Sequence, residues 1–462
     1  MKQLSVRQLA FLVIGLLLTM ATLQVAFARR RPIKAHFNPA TAAFSSSSDL
    51  SIYDARPDHI WNRLYRHFFV RVAGNGEEFG YDTLDPLLWP STRYLSSGQS
   101  HQQAVDLLDE FLATHAENLI TDPLKRAFLQ RDLWAVFDII TQGDSRQQGR
   151  AELQTRLARV IQRLALTPEQ IRLLPDNYQL AVAGKSFPTQ YQSDHNETSF
   201  LPAEMFRADG PWTAIGTSDR PAAPSHLADM AFAGRSVFLV FLRLPAGRDA
   251  TIAYLQRLKD FSQPWILNPE KSRPNQIVAN PDLPQFPLGT ELALVRRMVL
   301  IDNQGKLTPT SLTESIQIRV YRSIPNHVTT ASEEARASQT GFEFRLSRRK
   351  LFAGEAGGLR PVLSTDRDFE IFRSHGIDWF ETAGAASLDR VQFAVRDHCI
   401  VCHFAPGINS VLSFSATRFQ PLTLRPYLLS KTTIANQEEF TAGWKQKQYE
   451  WGLLKGLWAN AR

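Results

Sequence analysis

The residues best suited to do chemistry lie near the C-terminus, in Cys399-Ile400-Val401-Cys402-His403. The chain has 462 residues and only these two cysteines, and His403 follows the second one directly. One helical turn separates the thiols, so both can face one side at about the spacing of the two vinyl groups of a haem. The motif therefore predicts one covalently attached haem c, bound through Cys399 and Cys402, with His403 as the proximal iron ligand.

Two other chemistries use the same spacing of cysteines. A Cys-x-x-Cys pair acts as a redox dithiol in a βαβ context, which the surrounding sequence does not indicate. The pair also forms half of a zinc site, but a second pair of ligands is then needed, and the nearby histidines are His375 and His398. Haem attachment is the favoured interpretation, and the dithiol and the zinc site remain the alternatives.

From about Leu388 onwards the chain resembles a cytochrome c module, over about a fifth of its length. A helix predicted over Leu388–Asp397 leads into the motif, Pro406-Gly407 interrupts the chain, and an aromatic-rich helix is predicted near Gln437–Asn460. The resemblance implies a small helical haem segment that transfers electrons to a redox partner protein.

The second axial ligand departs from the pattern of that family. Small cytochromes c typically supply a methionine downstream of the motif, but no methionine or histidine follows His403. The ligand must come from upstream, with His375 and Met298 as candidates, or from another type of side chain, or the position is open. Two protein ligands favour electron transfer, whereas an open position permits a peroxidase-like enzyme or a protein that binds a small gas.

The N-terminus predicts export. Lys2 and Arg7 precede an apolar run over 9–25 that ends in Ala26-Phe27-Ala28, the order of a secretory signal peptide over 1–28. A periplasmic location agrees with haem c, which is attached outside the cytoplasm. If the segment is not cleaved, it anchors the protein, and this is the only membrane contact that we expect.

The composition is that of an ordinary globular protein, with 44% hydrophobic and 21% charged residues. The net charge of +7 is scattered along the chain and does not form the basic stripe of a nucleic-acid-binding protein. Residues 29–56, rich in Arg, Ala and Ser, predict a flexible tether.

Residues 57–200 predict a helical domain, because apolar residues recur at three- and four-residue spacing. Ser100 is expected to cap a helix over His101–His115, and Pro123 is expected in the first turn of a helix that reaches Ile140. A further helix is expected from Asp144 or Ser145 to Leu164. Thr167-Pro168-Glu169-Gln170 is typical of a capping box.

Residues 201–365 predict a mixed α+β domain. Strands are expected over Ser236–Leu242, Leu292–Ile301 and Ser315–Arg322, with a helix near Asp249–Leu258. Together with the haem segment over 366–462, the sequence predicts a multidomain α+β protein with antiparallel strand pairing.

Overall fold

A computed structural model describes most of the chain between residues 51 and 459. The described ranges are 51–143, 149–193, 198–217, 220–229, 231–268, 277–325, 332–369, 378–382, 388, 392–395, 400, 402–411 and 429–459. The predicted signal peptide, most of the predicted tether and His375 lie outside them. Residues Leu50–Arg462 belong to one compact unit. The predicted boundaries after residues 200 and 365 fall inside this unit, and the division into separate domains stays a prediction.

The first part of the unit is helical, as predicted. Its helices are α1 (Ile60–Phe69), α2 (Gly98–Ala113), α3 (Pro123–Gln142), α4 (Arg150–Leu164), α5 (Pro168–Arg172) and α6 (Asn177–Ala183), with a short hairpin of β1 (Arg71–Val72) and β2 (Glu78–Phe79) after α1. Within the described ranges, no helix is both long and apolar enough to cross a membrane.

The helix ends follow the capping residues. Asp122 caps α3 with Pro123 at its first position, and Thr167 and Gln170 form both hydrogen bonds of the predicted capping box. The start predicted for α2 was wrong. Ser97 is the N-cap residue, so Ser100 lies inside the helix, and the helix ends before His115, which has a left-handed φ of 52°.

A seven-stranded antiparallel sheet follows, which confirms the predicted α+β class and strand pairing. Its strands are β3 (Thr213–Gly216), β4 (Ser236–Arg243), β7 (Glu291–Ile301), β8 (Leu307–Tyr321), β9 (Gln339–Leu346), β10 (Leu359–Pro361) and β13 (Ser430–Lys431). Their order in the sheet is β10-β9-β8-β7-β4-β3-β13. A second antiparallel pair is formed by β5 (Trp265–Leu267) and β6 (Ile277–Ala279).

Shorter helices connect these strands. They are α7 (Pro224–Leu227), α8 (Arg248–Asp260), α9 (Glu333–Ser338) and α10 (Arg348–Phe352). After β10 come β11 (Arg367–Phe369), α11 (Trp379–Thr382) and β12 (Gln392–Ala394), and the chain closes with α12 (Ile434–Gln446) and α13 (Tyr449–Ala459).

The two faces of the sheet pack against different elements because successive side chains of a strand point to opposite faces. Val237 and Leu239 of β4 and Ile318 of β8 share one core with the N-terminal helices. Leu242 of β4 and Tyr321 of β8 face the other way, into a smaller core with the helix α8. The second face also carries the segment that follows the cysteine motif.

The C-terminal segment differs from its prediction in two places. Part of the predicted helix Leu388–Asp397 is the strand β12, because Gln392–Ala394 pair with Arg367–Phe369 of β11, a partner that local periodicity does not reveal. The aromatic-rich segment forms α12 and α13 instead of one helix. Trp451 and Trp458 of α13 lie in the core of the N-terminal helices.

The last part of the predicted tether was also wrong. Ile52 and Tyr53 are buried in the core of the N-terminal helices, at 7% and 1% exposure. Apolar burial and the hydrogen bond from the Tyr53 hydroxyl to Asp132 fix this stretch, whereas composition alone indicated a flexible chain.

Buried charges connect the layers. Asp138 of α3 accepts hydrogen bonds from Arg235 at 2.6 Å and from Lys445 of α12 at 2.7 Å, and all three side chains are fully buried. Nearby, Asp132 of α3 forms an ion pair with Arg348 of α10, and both side chains are only 1% exposed. Each pair joins segments that are far apart in sequence.

Candidate functional site

The part of the cysteine motif that the structure describes comprises Ile400, Cys402 and His403. Cys399 lies outside the described residues. Cys402 and His403 are partly buried. The His403 carbonyl accepts a hydrogen bond of 3.0 Å from Nε2 of Gln339, the first residue of β9, which ties the motif to the sheet.

The loop behind the motif is held by a buried serine. The Ser410 hydroxyl donates to the Gly407 carbonyl at 2.8 Å and lies 2.5 Å from the Tyr321 hydroxyl of β8. Arg319 of the same strand donates to the Ser410 hydroxyl at 3.4 Å. Ile408 is buried in the smaller core that packs against α8, and its backbone N–H donates to Gln285 at 2.7 Å. These contacts give the loop one defined position.

The ring of His403 is held in one tautomer. Its Nδ1 lies 2.7 Å from the Ser410 carbonyl, and since a carbonyl only accepts, Nδ1 carries the proton. Burial lowers the pKa of His403 well below its ordinary value, and Arg319 and His226 lower it further. A neutral ring protonated at Nδ1 carries its lone pair on Nε2, which is the form in which an imidazole binds a metal.

A second imidazole lies beside this ring. The centroids of His226 and His403 are 6.2 Å apart, and their planes differ by 7°. Burial lowers the pKa of His226 to about 4, with a smaller effect of Arg319, so this ring is also neutral near pH 7. His226 is in α7, far upstream of the motif, and was not among the ligands predicted from the sequence. No spacing in the sequence links it to His403.

The two upstream ligand candidates have different outcomes. Met298 of β7 is 1% exposed and packs in the core between the sheet and the N-terminal helices. The ring of His226, which lies beside His403, contacts Phe238. Phe238 and Leu227 belong to a cluster that is separate from the core that contains Met298. The structure thus does not bring Met298 to His403. His375 lies outside the described residues, and its role as a ligand stays a prediction.

The described residues include one donor that is suited to axial ligation of a haem iron. Among the described residues, no group of three or more His, Cys, Asp or Glu side chains could hold a metal ion. Haem iron requires only one or two axial ligands from the protein, and a neutral imidazole with its Nδ1–H bonded to a carbonyl is a common form of such a ligand. His403 meets this requirement.

Gly407 sets the shape of the loop that orients His403. Its φ is +51°, and a Cβ atom there would lie 2.0 Å from Oε1 of Gln285. Alanine would displace the Gln285 amide and remove the hydrogen bond of 2.7 Å that it accepts from the Ile408 N–H, one of the contacts that hold the loop. Gly407→Ala is expected to lower the free energy of unfolding by about 2–4 kcal/mol, measured by urea denaturation.

The matched control is Gly76→Ala. Gly76 has a φ of +83°, but an added Cβ would meet nothing within 4 Å. This variant shows the cost of the backbone conformation alone, which is about 1 kcal/mol. Equal losses for the two variants would contradict the role given to the contact between Gly407 and Gln285.

Known proteins provide no family for this chain. The sequence matches no protein-family model and no curated protein, and the structure matches no solved structure.

Proposed function

We propose that this protein is an exported, single-haem, c-type cytochrome-like protein that transfers electrons. Cys399 and Cys402 bind the haem covalently, and His403 is the proximal ligand of the iron. Each thiol would add across one vinyl group, so that a C–S and a C–H bond would replace the S–H bond and the π bond of the vinyl group, and no oxidant is needed.

The state of the His403 ring carries this proposal. An imidazole ligates a metal through an unprotonated nitrogen, and a second hydrogen bond usually fixes the other nitrogen. In the structure the Ser410 carbonyl accepts from Nδ1 of His403 at 2.7 Å, and burial keeps the ring neutral. A surface histidine behind a dithiol would need neither feature.

The residues around His403 have separate roles in this function. A bound haem supplies a one-electron iron couple. Ser410 orients the His403 ring, and the loop contacts through Tyr321 and Gln285 keep Ser410 in place. Arg319, a cation close enough to lower the pKa of both imidazoles, favours the reduced over the oxidised form of a nearby redox centre.

Export and a redox partner belong to the same proposal. The signal sequence over 1–28 supports export, since covalent haem attachment takes place outside the cytoplasm. A protein that only transfers electrons requires a partner to donate or accept them. The alternative is a peroxidase-like enzyme or a gas-binding protein, and it requires an open sixth position on the iron.

Haem staining of a denaturing gel tests the covalent bond directly. The full-length chain is produced in a host with the c-type haem attachment machinery, alongside Cys399→Ala, Cys402→Ala and the double variant. The wild type is expected to retain haem after denaturation and the double variant to lose it completely. His398→Ala, which changes the residue next to the motif, is the matched control and is expected to retain haem.

A wild-type chain without covalent haem would overturn the proposal. Electron transfer is tested on the same protein by a spectroelectrochemical titration, in which a reversible one-electron change is expected. Peroxide-dependent oxidation of a dye, or tight binding of CO to the reduced protein, would favour the alternative function.

A further inference from the structure

The separation of the two imidazoles matches two ligands of one metal ion. With metal–nitrogen bonds of about 2.0 Å on either side and about 1.1 Å from each nitrogen to its ring centre, the centroids would be about 6 Å apart. The observed distance between the His226 and His403 centroids is 6.2 Å, with planes that are parallel within 7°.

The position of His226 is fixed by its surroundings. Its helix α7 begins at Pro224, and the next residue, Leu227, is 1% exposed in a cluster with Phe238. The His226 ring packs against the Phe238 ring at a centroid distance of 5.6 Å. Just before the helix, Ala222 N–H donates to Gln437 of α12 at 2.6 Å. The part of the connection between β3 and β4 that carries His226 is thus held from both sides.

The nitrogens of His226 have no other role in the described part of the chain. No hydrogen bond to either of them is found among the residues that the structure describes. Either nitrogen can therefore act as a donor to a metal without giving up another hydrogen bond in this part of the chain.

We propose that His226 is the second axial ligand of the haem, opposite His403, which gives the iron two histidine ligands. This inference rests on the proposed function, because it requires that the haem be attached at the motif. Two protein ligands leave no position for peroxide or CO, so His226 restricts the site to electron transfer. His226 would take the role that the sequence analysis considered for His375 and Met298.

Optical spectra of the haem-loaded, full-length protein test the ligand. The wild type is expected to be low-spin in both oxidation states and to show no change when CO is added after reduction. His226→Ala is expected to become high-spin and to bind CO stoichiometrically. Added imidazole is expected to restore the low-spin spectrum, which would show that the variant has lost a ligand and not its fold.

His375→Ala and Met298→Leu are the matched controls, and both are expected to keep the wild-type spectrum. The inference is overturned if His226→Ala has the spectrum of the wild type, if His375→Ala becomes high-spin instead, or if the wild type itself binds CO. In each of these results haem staining remains positive, so the proposed attachment survives. A negative stain of the wild type overturns the attachment and the inference together.

Discussion

Replacing Asp138 with asparagine is expected to lower the free energy of unfolding by about 3–5 kcal/mol, because it leaves buried cations without their counter-charge. The Asp138 carboxylate is fully buried and accepts from Arg235 at 2.6 Å and from Lys445 at 2.7 Å. Asparagine has the same shape, but its amide is neutral. The only other acidic group near Lys445 among the described residues is Glu450, at 3.6 Å.

The loss should depend on pH in a defined direction. Burial already lowers the pKa of Lys445 in the wild type, although Asp138 opposes this shift. Without Asp138 the pKa falls further, so between this value and the ordinary pKa near 10.5 the unfolded chain binds more protons than the folded chain. The free energy of unfolding of Asp138→Asn therefore rises with pH in that window, and the variant loses less stability relative to the wild type at high pH than at pH 7.

Urea denaturation at pH 7 and at about pH 9.5 measures both effects. Asp109→Asn is the matched control, since Asp109 forms an ion pair of 2.8 Å with Arg156 but is half exposed. It is expected to cost less than about 1 kcal/mol, with little dependence on pH. If Asp138→Asn costs no more than this control, the buried charges do not stabilise the junction of α3, β4 and α12.

Asp132→Leu is the second substitution with a large expected effect, about 3–5 kcal/mol. The Asp132 carboxylate pairs with the buried guanidinium of Arg348 and accepts from the Tyr53 hydroxyl at 2.9 Å. Leucine fills the space but leaves the charge of Arg348 unpaired. Burial raises the pKa of Asp132 even in the presence of this partner, which indicates how costly an isolated charge is here.

A double-mutant cycle separates the ion pair from the packing. Arg348→Met in the Asp132→Leu background is expected to recover part of the loss, with a coupling energy of about 2 kcal/mol or more. Recovery stays incomplete because Arg348 also donates to the Thr83 carbonyl at 2.6 Å. The same cycle on the exposed pair Glu169 and Arg172 is expected to give below about 0.5 kcal/mol. Equal coupling energies would contradict this interpretation.

Local signals in the sequence predicted the elements whose ends or periodicity are encoded nearby. Pro123 marks the start of α3, directly after the N-cap residue Asp122, and the apolar run from Ser236 to Leu242 marks β4. The strand β12 was missed because three residues carry no distinct period and its pairing partner is β11. Buried ion pairs such as that of Asp138 with Arg235 were missed because the two residues are far apart in the sequence, and no local pattern links them.

The candidate site shows the same limit. The spacing of Cys399, Cys402 and His403 predicts a haem without any structure, because the attachment chemistry is local. The partner across the proposed metal is not local. His226 is placed by α7 in the connection between β3 and β4, and only the sheet brings that connection to His403. A search among methionines and the histidines nearest the motif therefore could not identify it.

The position of α13 has a consequence for the order of events during synthesis. Trp451 and Trp458 complete the core that begins with residues such as Trp61 and Leu64. A ribosome makes the N-terminal helices first, but these helices lack part of their packing until the last residues of the chain have emerged. The cysteine motif is made before those residues. Under the proposed export, the chain crosses the membrane in the same order. The thiols of the motif would then reach the site of haem attachment while the core still lacks α13, which would give an attachment enzyme time to act before the fold closes.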